Sequence, residues 1–161
     1  MPTIELLTEI NAPIKRCFDL ARSIDLHLIS TKHTGEQAIA GTTTGLIGLD
    51  ETVTWRAKHF FVWQILTSKV TEMHSPDFFA DEMVSGAFKS FRHEHFFFTV
   101  EGKTVMRDVF VFESPFGILG KLFNLITLKA YMTSLLTQRN AVIKQVAEDG
   151  KWEEIKNNST N

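Results

Sequence analysis

The sequence predicts an α+β domain in which an antiparallel β-sheet is covered by one long C-terminal α-helix. Two observations predict this fold class. Residues 49–112 consist mainly of short runs with the two-residue hydrophobic period of β-strands, separated by turn-forming residues. Residues 118–146 instead place most of their large apolar side chains near one stripe of a helix. Because an antiparallel sheet has one face to cover, a long amphipathic helix is expected to cover it.

The N-terminal part predicts one strand and two short helices. Residues 3–10 have the composition of a strand, and Pro13 favours the start of a helix that extends to about Arg22. Ser23 can cap a second short helix that ends near Ile29. The threonine- and glycine-rich segment that follows predicts a loop with one weak edge strand.

Five further strands and the long helix complete the predicted order. The strands are expected over residues 49–57, 62–73, 78–84, 90–100 and 105–112. The last two form a hairpin with a short turn at Gly102-Lys103, and residues 115–117 end the strands. On the helix, Arg139 and Lys144 fall mostly outside the apolar stripe.

The chain is expected to form a single domain over residues 1–149, followed by a polar tail over residues 150–161. A length of 161 residues is enough for one substantial core. No internal repeat or linker-like stretch divides the sequence. Gly150 ends the predicted helix, and the polar residues after it are expected to fray.

Composition and charge exclude several classes of function. The chain has the 43% hydrophobic and 22% charged residues of an ordinary globular protein, and its net charge of −2 gives no sign of nucleic-acid binding. No run reaches the roughly 18 apolar residues of a membrane span, so stable membrane insertion is not expected. The lone Cys17 excludes an internal disulfide, and residues 1–7 lack a signal-peptide pattern, so we expect a cytoplasmic protein. The sequence leaves the oligomeric state open.

Phenylalanine dominates the aromatic residues, with fourteen copies against the single Tyr131. A phenylalanine ring fills space without needing a hydrogen-bond partner. The interior is therefore expected to be either a dense core or an apolar cavity, and composition alone does not separate the two.

The predicted hairpin sets two histidines and an aspartate among phenylalanines. Alternate residues of a strand share a face, so His93 and His95 lie on the same side of the sheet. Asp108, on the returning strand, is expected to join them. The residues expected on this face are Phe91, His93, His95, Phe97, Met106, Asp108, Phe110 and Phe112.

The predicted pairing across the hairpin depends on the turn. If Glu101 pairs with Thr104, His95 lies opposite Phe110. Arg92 then lies opposite Glu113 on the other face, a favourable pair of opposite charges that is expected on the solvent side. The face with the histidines is therefore expected to be interior.

Three interpretations are open for His93, His95 and Asp108. They can be structural, each satisfying a polar neighbour inside an apolar interior. They can orient a ligand through hydrogen bonds to a carbonyl or hydroxyl group. They can hold a metal ion, since a His-x-His pair and a nearby carboxylate supply three ligands. The rest of the chain shows no ligand cluster, so the sequence assigns no metal and no cofactor.

The order of elements and four sequence segments carry a resemblance to a known group of proteins. The segments are residues 51–57 (ETVTWRA), 86–96 (GAFKSFRHEHF), 106–108 (MRD) and 115–120 (PFGILG). With them, the chain resembles the helix-grip domains of the START, Bet v 1 and polyketide-cyclase superfamily, and most of all the bacterial ligand-binding proteins known as SRPBCC. The resemblance implies a curved sheet wrapped around the C-terminal helix, with a deep cavity between them. It does not imply one activity, because members include lipid carriers, hormone receptors, cyclases and quinone-binding proteins.

The function expected from these observations is binding of a hydrophobic small molecule, such as a lipid, an isoprenoid or an aromatic compound, between the sheet and the helix. The residues expected to line the cavity are Trp55, Phe91, His93, His95, Phe97, Asp108, Phe110, Phe112 and Met132. One alternative is an enzyme of the cyclase or hydratase type, in which a His–Asp pair moves a proton in the same cavity. Another is an interaction domain that contacts a partner protein through an exposed edge strand. No residue is assigned a catalytic role.

Overall fold

The computed structural model describes the backbone of residues 1–114 and 118–158, and the side chains of residues 1–114 and 126–155. The described residues form one antiparallel sheet together with four α-helices, which confirms the predicted fold class. The strands are β1 (Thr3–Ile10), β2 (Gln37–Gly41), β3 (Thr52–His59), β4 (Val62–His74), β5 (Phe78–Ser85), β6 (Ser90–Val100) and β7 (Lys103–Glu113). The helices are α1 (Ile14–Ala21), α2 (Ile24–Ser30), α3 (Ile118–Glu148) and α4 (Trp152–Asn158), and a short 3-10 helix spans Lys32–Thr34.

The seven strands lie in the order β1-β7-β6-β5-β4-β3-β2. Register shifts occur between Ala38 and Ala40 in β2, and at two places along the pairing of β4 with β5. Such irregularities bend a strand, so the sheet curves around α3. The predicted helix-grip arrangement, with two short helices after the first strand, is confirmed.

The early helices begin where the sequence predicts. Pro13 precedes α1, as its missing N–H and restricted φ favour. The Ser23 hydroxyl accepts a hydrogen bond from the Leu26 N–H at 3.2 Å and so caps α2. These two helices close one end of the space between the sheet and α3.

The chain after Gly150 differs from the predicted frayed tail. Residues Trp152–Asn158 form α4, and Trp152 and Ile155 pack against the hydrophobic core. Two apolar side chains three residues apart share a helix face, which explains why this short polar segment docks. The predicted break at 115–117 and the tail residues 159–161 lie outside the described residues.

The pairing across the β6–β7 hairpin also differs from the predicted one. Val100 pairs with Lys103, so the two turn residues are Glu101 and Gly102, with φ of 49° and 77°. These positive values fit a tight two-residue turn, whose twist matches that of the strands. The true register is shifted by two residues, which keeps every side chain on its predicted face but changes its partner: His95 lies opposite Asp108, not Phe110.

The shift also removes the predicted pair of Arg92 with Glu113. Ser90 lies opposite Glu113, and Arg92 lies opposite Val111. Its guanidinium instead contacts the carboxylates of Glu72, Glu82 and Glu94, all on the outer face of the sheet. The expectation that the histidine face is the interior one is correct: its residues from Phe91 to Phe97 are buried, whereas those of the other face from Ser90 to Phe96 are half-buried.

The interior divides into two regions along α3. Around the C-terminal half of α3, side chains from α1, the sheet and α4 form a dense cluster that we call the closed end. Its largest members are Phe18, Phe79, Phe97, Met106 and Ile143. Around the preceding turns of α3 lies the region that we call the open end, which contains Trp55, Phe91, Phe110, Phe112 and Leu136.

Candidate functional site

A cavity of about 530 Å³ lies at the open end, between the concave face of the sheet and α3. Its apolar walls come from β3, β4, β6, β7, the β5–β6 connection and one side of α3. They include Trp55, Ala57, Leu66, Phe88, Phe91, Phe110, Leu128, Met132, Leu135 and Leu136. The strands supply these side chains because alternate residues of each strand face inward.

The structure places the nine predicted site residues in two groups. Five of them border this cavity: Trp55, Phe91, His93, Phe110 and Met132. The other four are buried and do not border it: His95, Phe97, Asp108 and Phe112. Phe97 packs at the closed end against Phe18, with ring centroids 5.5 Å apart. Residues that share the inward face of the sheet are therefore all buried, but only some of them border the cavity.

The two histidines meet at the carboxylate of Asp108, at the inner edge of the cavity. Asp108 Oδ1 lies 2.7 Å from His95 Nδ1 and 3.2 Å from His93 Nε2. Its Oδ2 accepts a hydrogen bond from Asn140 Nδ2 at 2.6 Å. A carboxylate only accepts hydrogen bonds, so each imidazole donates through the nitrogen that faces it. The hairpin register explains the contact, since His95 and Asp108 are direct cross-strand partners.

Burial and hydrogen bonding shift the pKa of Asp108 in opposite directions. Burial by itself would raise the pKa of Asp108, which is 1% exposed, but hydrogen bonds from His93 and His95 outweigh it and hold the pKa well below the usual range. Burial, reinforced by the neighbouring His95, lowers the pKa of His93 to about 4. At neutral pH the cluster therefore contains an ionised Asp108 and a neutral His93.

Asp81 joins the cluster from β5, where it lies opposite His93. Its Oδ1 is 3.4 Å from His95 Nε2, so His95 lies between two carboxylates. Burial would raise the pKa of Asp81, but the contact with His95 and the charges nearby lower it. Sequence reasoning missed this residue, although Phe79 and Asp81 share a strand face and that pattern predicts an inward aspartate.

Arg139 and Asn140 join the cluster from α3, and the predicted position of Arg139 outside the apolar stripe is wrong. The Arg139 side chain is buried, with Nη2 donating to the Ala21 carbonyl at 2.5 Å. Its Nη1 lies 3.8 Å from Asp108 Oδ1. A buried carboxylate stabilises a buried guanidinium, which hydrophobic patterning along one helix does not reveal.

A second polar group lies at the other side of the cavity. His59 Nδ1 lies 2.8 Å from the Tyr131 hydroxyl, and the ring of Phe60 packs on Tyr131 with centroids 4.6 Å apart. Burial lowers the pKa of His59 and raises that of Tyr131. Phe60 is a turn residue with a φ of 49°, which is unusual for a bulky side chain and holds the ring over the cavity.

Glu36 and His27 form a half-buried pair that also lines the cavity. Glu36 Oε2 lies 3.1 Å from His27 Nε2, and the His27 ring lies over Trp55 with centroids 4.3 Å apart. Burial would raise the pKa of Glu36, but the contact with His27 lowers it. The cavity wall therefore holds Trp55 in place through an imidazole that is itself oriented by a carboxylate.

Comparison with known proteins finds no match in sequence but several matches in structure. No protein-family model matches the chain, and no curated protein sequence matches it. A protein of Thermus thermophilus matches in structure with a TM-score of 0.70 and 16% identity, over 91% of this chain and all of that one. The chain described above therefore has a helix-grip fold.

Two further structures show the same fold at similar identity. The ginseng major latex-like protein 151 from Panax ginseng matches with a TM-score of 0.67 and 13% identity, covering 91% of this chain and 97% of that one. A protein of Chromobacterium violaceum matches with a TM-score of 0.64 and 10% identity, covering 88% and 96%. Likeness at this level concerns the fold, so function is argued from the site.

Among the described residues, no helix combines the length and apolar character needed to cross a bilayer.

Proposed function

We propose that this protein binds a hydrophobic small molecule, such as a lipid, an isoprenoid or an aromatic compound, in the cavity at the open end. The observation that carries the proposal is the cavity of about 530 Å³, whose walls are mainly aromatic and aliphatic side chains. Small-molecule sites have such volumes, with a few polar groups among apolar walls. An apolar ligand would restore the dispersion contacts that the wall atoms lack on their inner side.

The proposed contacts divide between the walls and one polar end. Trp55, Phe91, Phe110 and Met132 would pack against the apolar body of the ligand. His93 is the histidine of the hairpin that borders the main cavity, so it would contact a polar group of the ligand. We include a cytoplasmic location in the proposal, which the lone, buried Cys17 supports.

The cavity itself can be tested with a neutral fluorescent probe, N-phenyl-1-naphthylamine, whose emission increases in an apolar site. Met132→Trp would place a larger side chain in the cavity, and we expect the affinity for the probe to fall by about tenfold or more. Gln138→Trp adds the same side chain to an exposed position of α3 and is expected to leave the affinity unchanged.

Two results would contradict binding in this cavity. One is wild-type protein that does not increase the emission of the probe. The other is an equal loss of affinity in the two tryptophan variants, because that would locate the probe elsewhere. Native mass spectrometry of the protein purified from cells, followed by extraction of bound compounds, would then identify the ligand.

A further inference from the structure

We propose that Asp81, His93 and His95 form a binding site for a divalent transition-metal cation, and that zinc is the ion that fits it best. These three residues each offer one donor atom, and the three atoms lie within 4.8 Å of one another. Two imidazoles and one carboxylate are ligands that zinc accepts in proteins. This inference does not rest on the hydrophobic ligand proposed above, although both sites include His93, so the ion and a polar group of the ligand would compete for its remaining nitrogen.

The separation of two of the donor atoms fits a shared metal better than a hydrogen bond. His95 Nε2 and Asp81 Oδ1 are 3.4 Å apart, which is longer than the 2.7–3.2 Å of most N–H···O hydrogen bonds. Two ligands of a tetrahedral zinc with bonds of about 2.0–2.1 Å are about 3.3–3.4 Å apart. This pair of atoms therefore needs little adjustment when the ion binds, whereas the three donor atoms together lie only within 4.8 Å of one another, so His93 would have to move closer.

Asp108 provides the outer contacts that a histidine-ligated metal requires. Histidine ligands usually donate their other ring N–H to a carboxylate or carbonyl group, which fixes the tautomer and the ring orientation. The Asp108 carboxylate accepts hydrogen bonds from Nδ1 of His95 and from Nε2 of His93. In a neutral ring that donates to Asp108 through one nitrogen, the other nitrogen carries a lone pair that can bind a metal. Asn140 holds the Asp108 carboxylate in place from α3.

The cluster has both space for an ion and a route to it. A second, smaller cavity of about 110 Å³ is bordered by all three proposed ligands, a volume greater than the roughly 30 Å³ of one water molecule. Asp81 and His93 also border the main cavity. A zinc ion with three protein ligands would keep a fourth position for water or a bound molecule.

The charge of the surroundings permits a divalent cation but limits its affinity. Asp81 and Asp108 contribute two negative charges, and Arg139 contributes one positive charge within 3.8 Å of Asp108. The cluster is therefore net negative before the ion binds. The guanidinium reduces the attraction, so we expect a weaker site than one made of carboxylates and imidazoles alone.

The experiment uses the full chain after removal of metals by a chelator. Zinc is titrated in competition with a chromophoric chelator, and cobalt is used as a spectroscopic substitute. We expect one ion per chain and the visible absorption of tetrahedral cobalt with nitrogen and oxygen ligands. Asp81→Asn and His93→Gln are expected to weaken zinc binding by roughly tenfold or more, whereas His74→Gln, at an exposed histidine, should not change it.

Several results would overturn the site. They are the absence of zinc binding by the metal-free wild type, an octahedral cobalt spectrum, and an affinity loss in His74→Gln equal to that in His93→Gln. Circular dichroism shows whether each variant is folded. If a ligand variant does not fold, the stoichiometry and the cobalt spectrum of the wild type still decide the question.

Discussion

The closed and open ends of the interior are built from the same kinds of residue but differ in packing. Strand β6 passes through both: Phe97 lies among Phe18 and Phe79 at the closed end, whereas Phe91 borders the cavity at the open end. The difference arises because α1 and α4 bring additional side chains to the closed end. Aromatic content therefore does not determine whether a region is dense or hollow. What determines it here is the number of secondary-structure elements that pack around the region.

The largest expected difference between the two ends is in the free energy of unfolding lost when one phenylalanine in each is replaced by alanine. Phe97→Ala should lower the free energy of unfolding by about 3–5 kcal/mol, because its neighbours enclose the ring and would leave a void. Phe91→Ala should cost about 1–2 kcal/mol, because its ring borders space that is already open. Urea unfolding of both variants measures the difference, and equal losses would show that the two ends are packed alike.

A smaller effect is expected at the boundary between the two ends, where Asp108 lies. Asp108→Asn should lower the free energy of unfolding by about 3 kcal/mol, because it removes a buried charge that His93, His95 and Arg139 surround. The matched control is Asp50→Asn, which breaks an ion pair with Lys69 at a side chain that is 74% exposed. That change should cost about 0–1 kcal/mol. A similar cost for both substitutions in urea unfolding would refute the structural role of Asp108.

The smallest effect concerns the rim of the open end and its response to pH. Burial lowers the pKa of His59 below its ordinary value of 6.5 in the folded protein. Between the folded and unfolded pKa values the unfolded chain binds more protons, so this residue favours folding above pH 6.5 and opposes it as the pH falls below that value.

An NMR titration of the His59 ring should give a midpoint below 6.5. His59→Gln should flatten the change of stability with pH in that window. A midpoint at or above 6.5 in the folded protein would show that burial does not control the pKa of His59, and would contradict this prediction. No such dependence is expected from the closed-end phenylalanines, which carry no titratable group.

The hairpin shows how far local patterning reaches. Alternation along β6 and β7 predicted which side chains face inward, and this is correct for Phe91, His95 and Asp108. It did not predict their partners, because the two-residue turn at Glu101 and Gly102 changes the register by two. An even shift preserves the faces, so the error in pairing left the predicted interior intact.

The polar cluster shows where local patterning ends. Asp81 comes from another strand, and Arg139 and Asn140 come from α3, so only the folded sheet and helix bring them to Asp108. Arg139 also contradicts the hydrophobic pattern of its own helix. Such a residue is buried because its partner is buried, and that partner lies far away in the sequence.

The amino-acid sequence by itself determined the fold class, the order of its elements and the inward face of the hairpin. These properties depend on periodicity, capping and turn residues, which act over a few neighbouring positions. Tertiary structure alone decided that the open end is hollow, that α4 docks, and that Asp81 and Arg139 meet the histidines. Those outcomes depend on the spacing between the sheet and α3 and on contacts between segments that are distant in the sequence. A pattern over a few neighbouring residues carries no information about either of these.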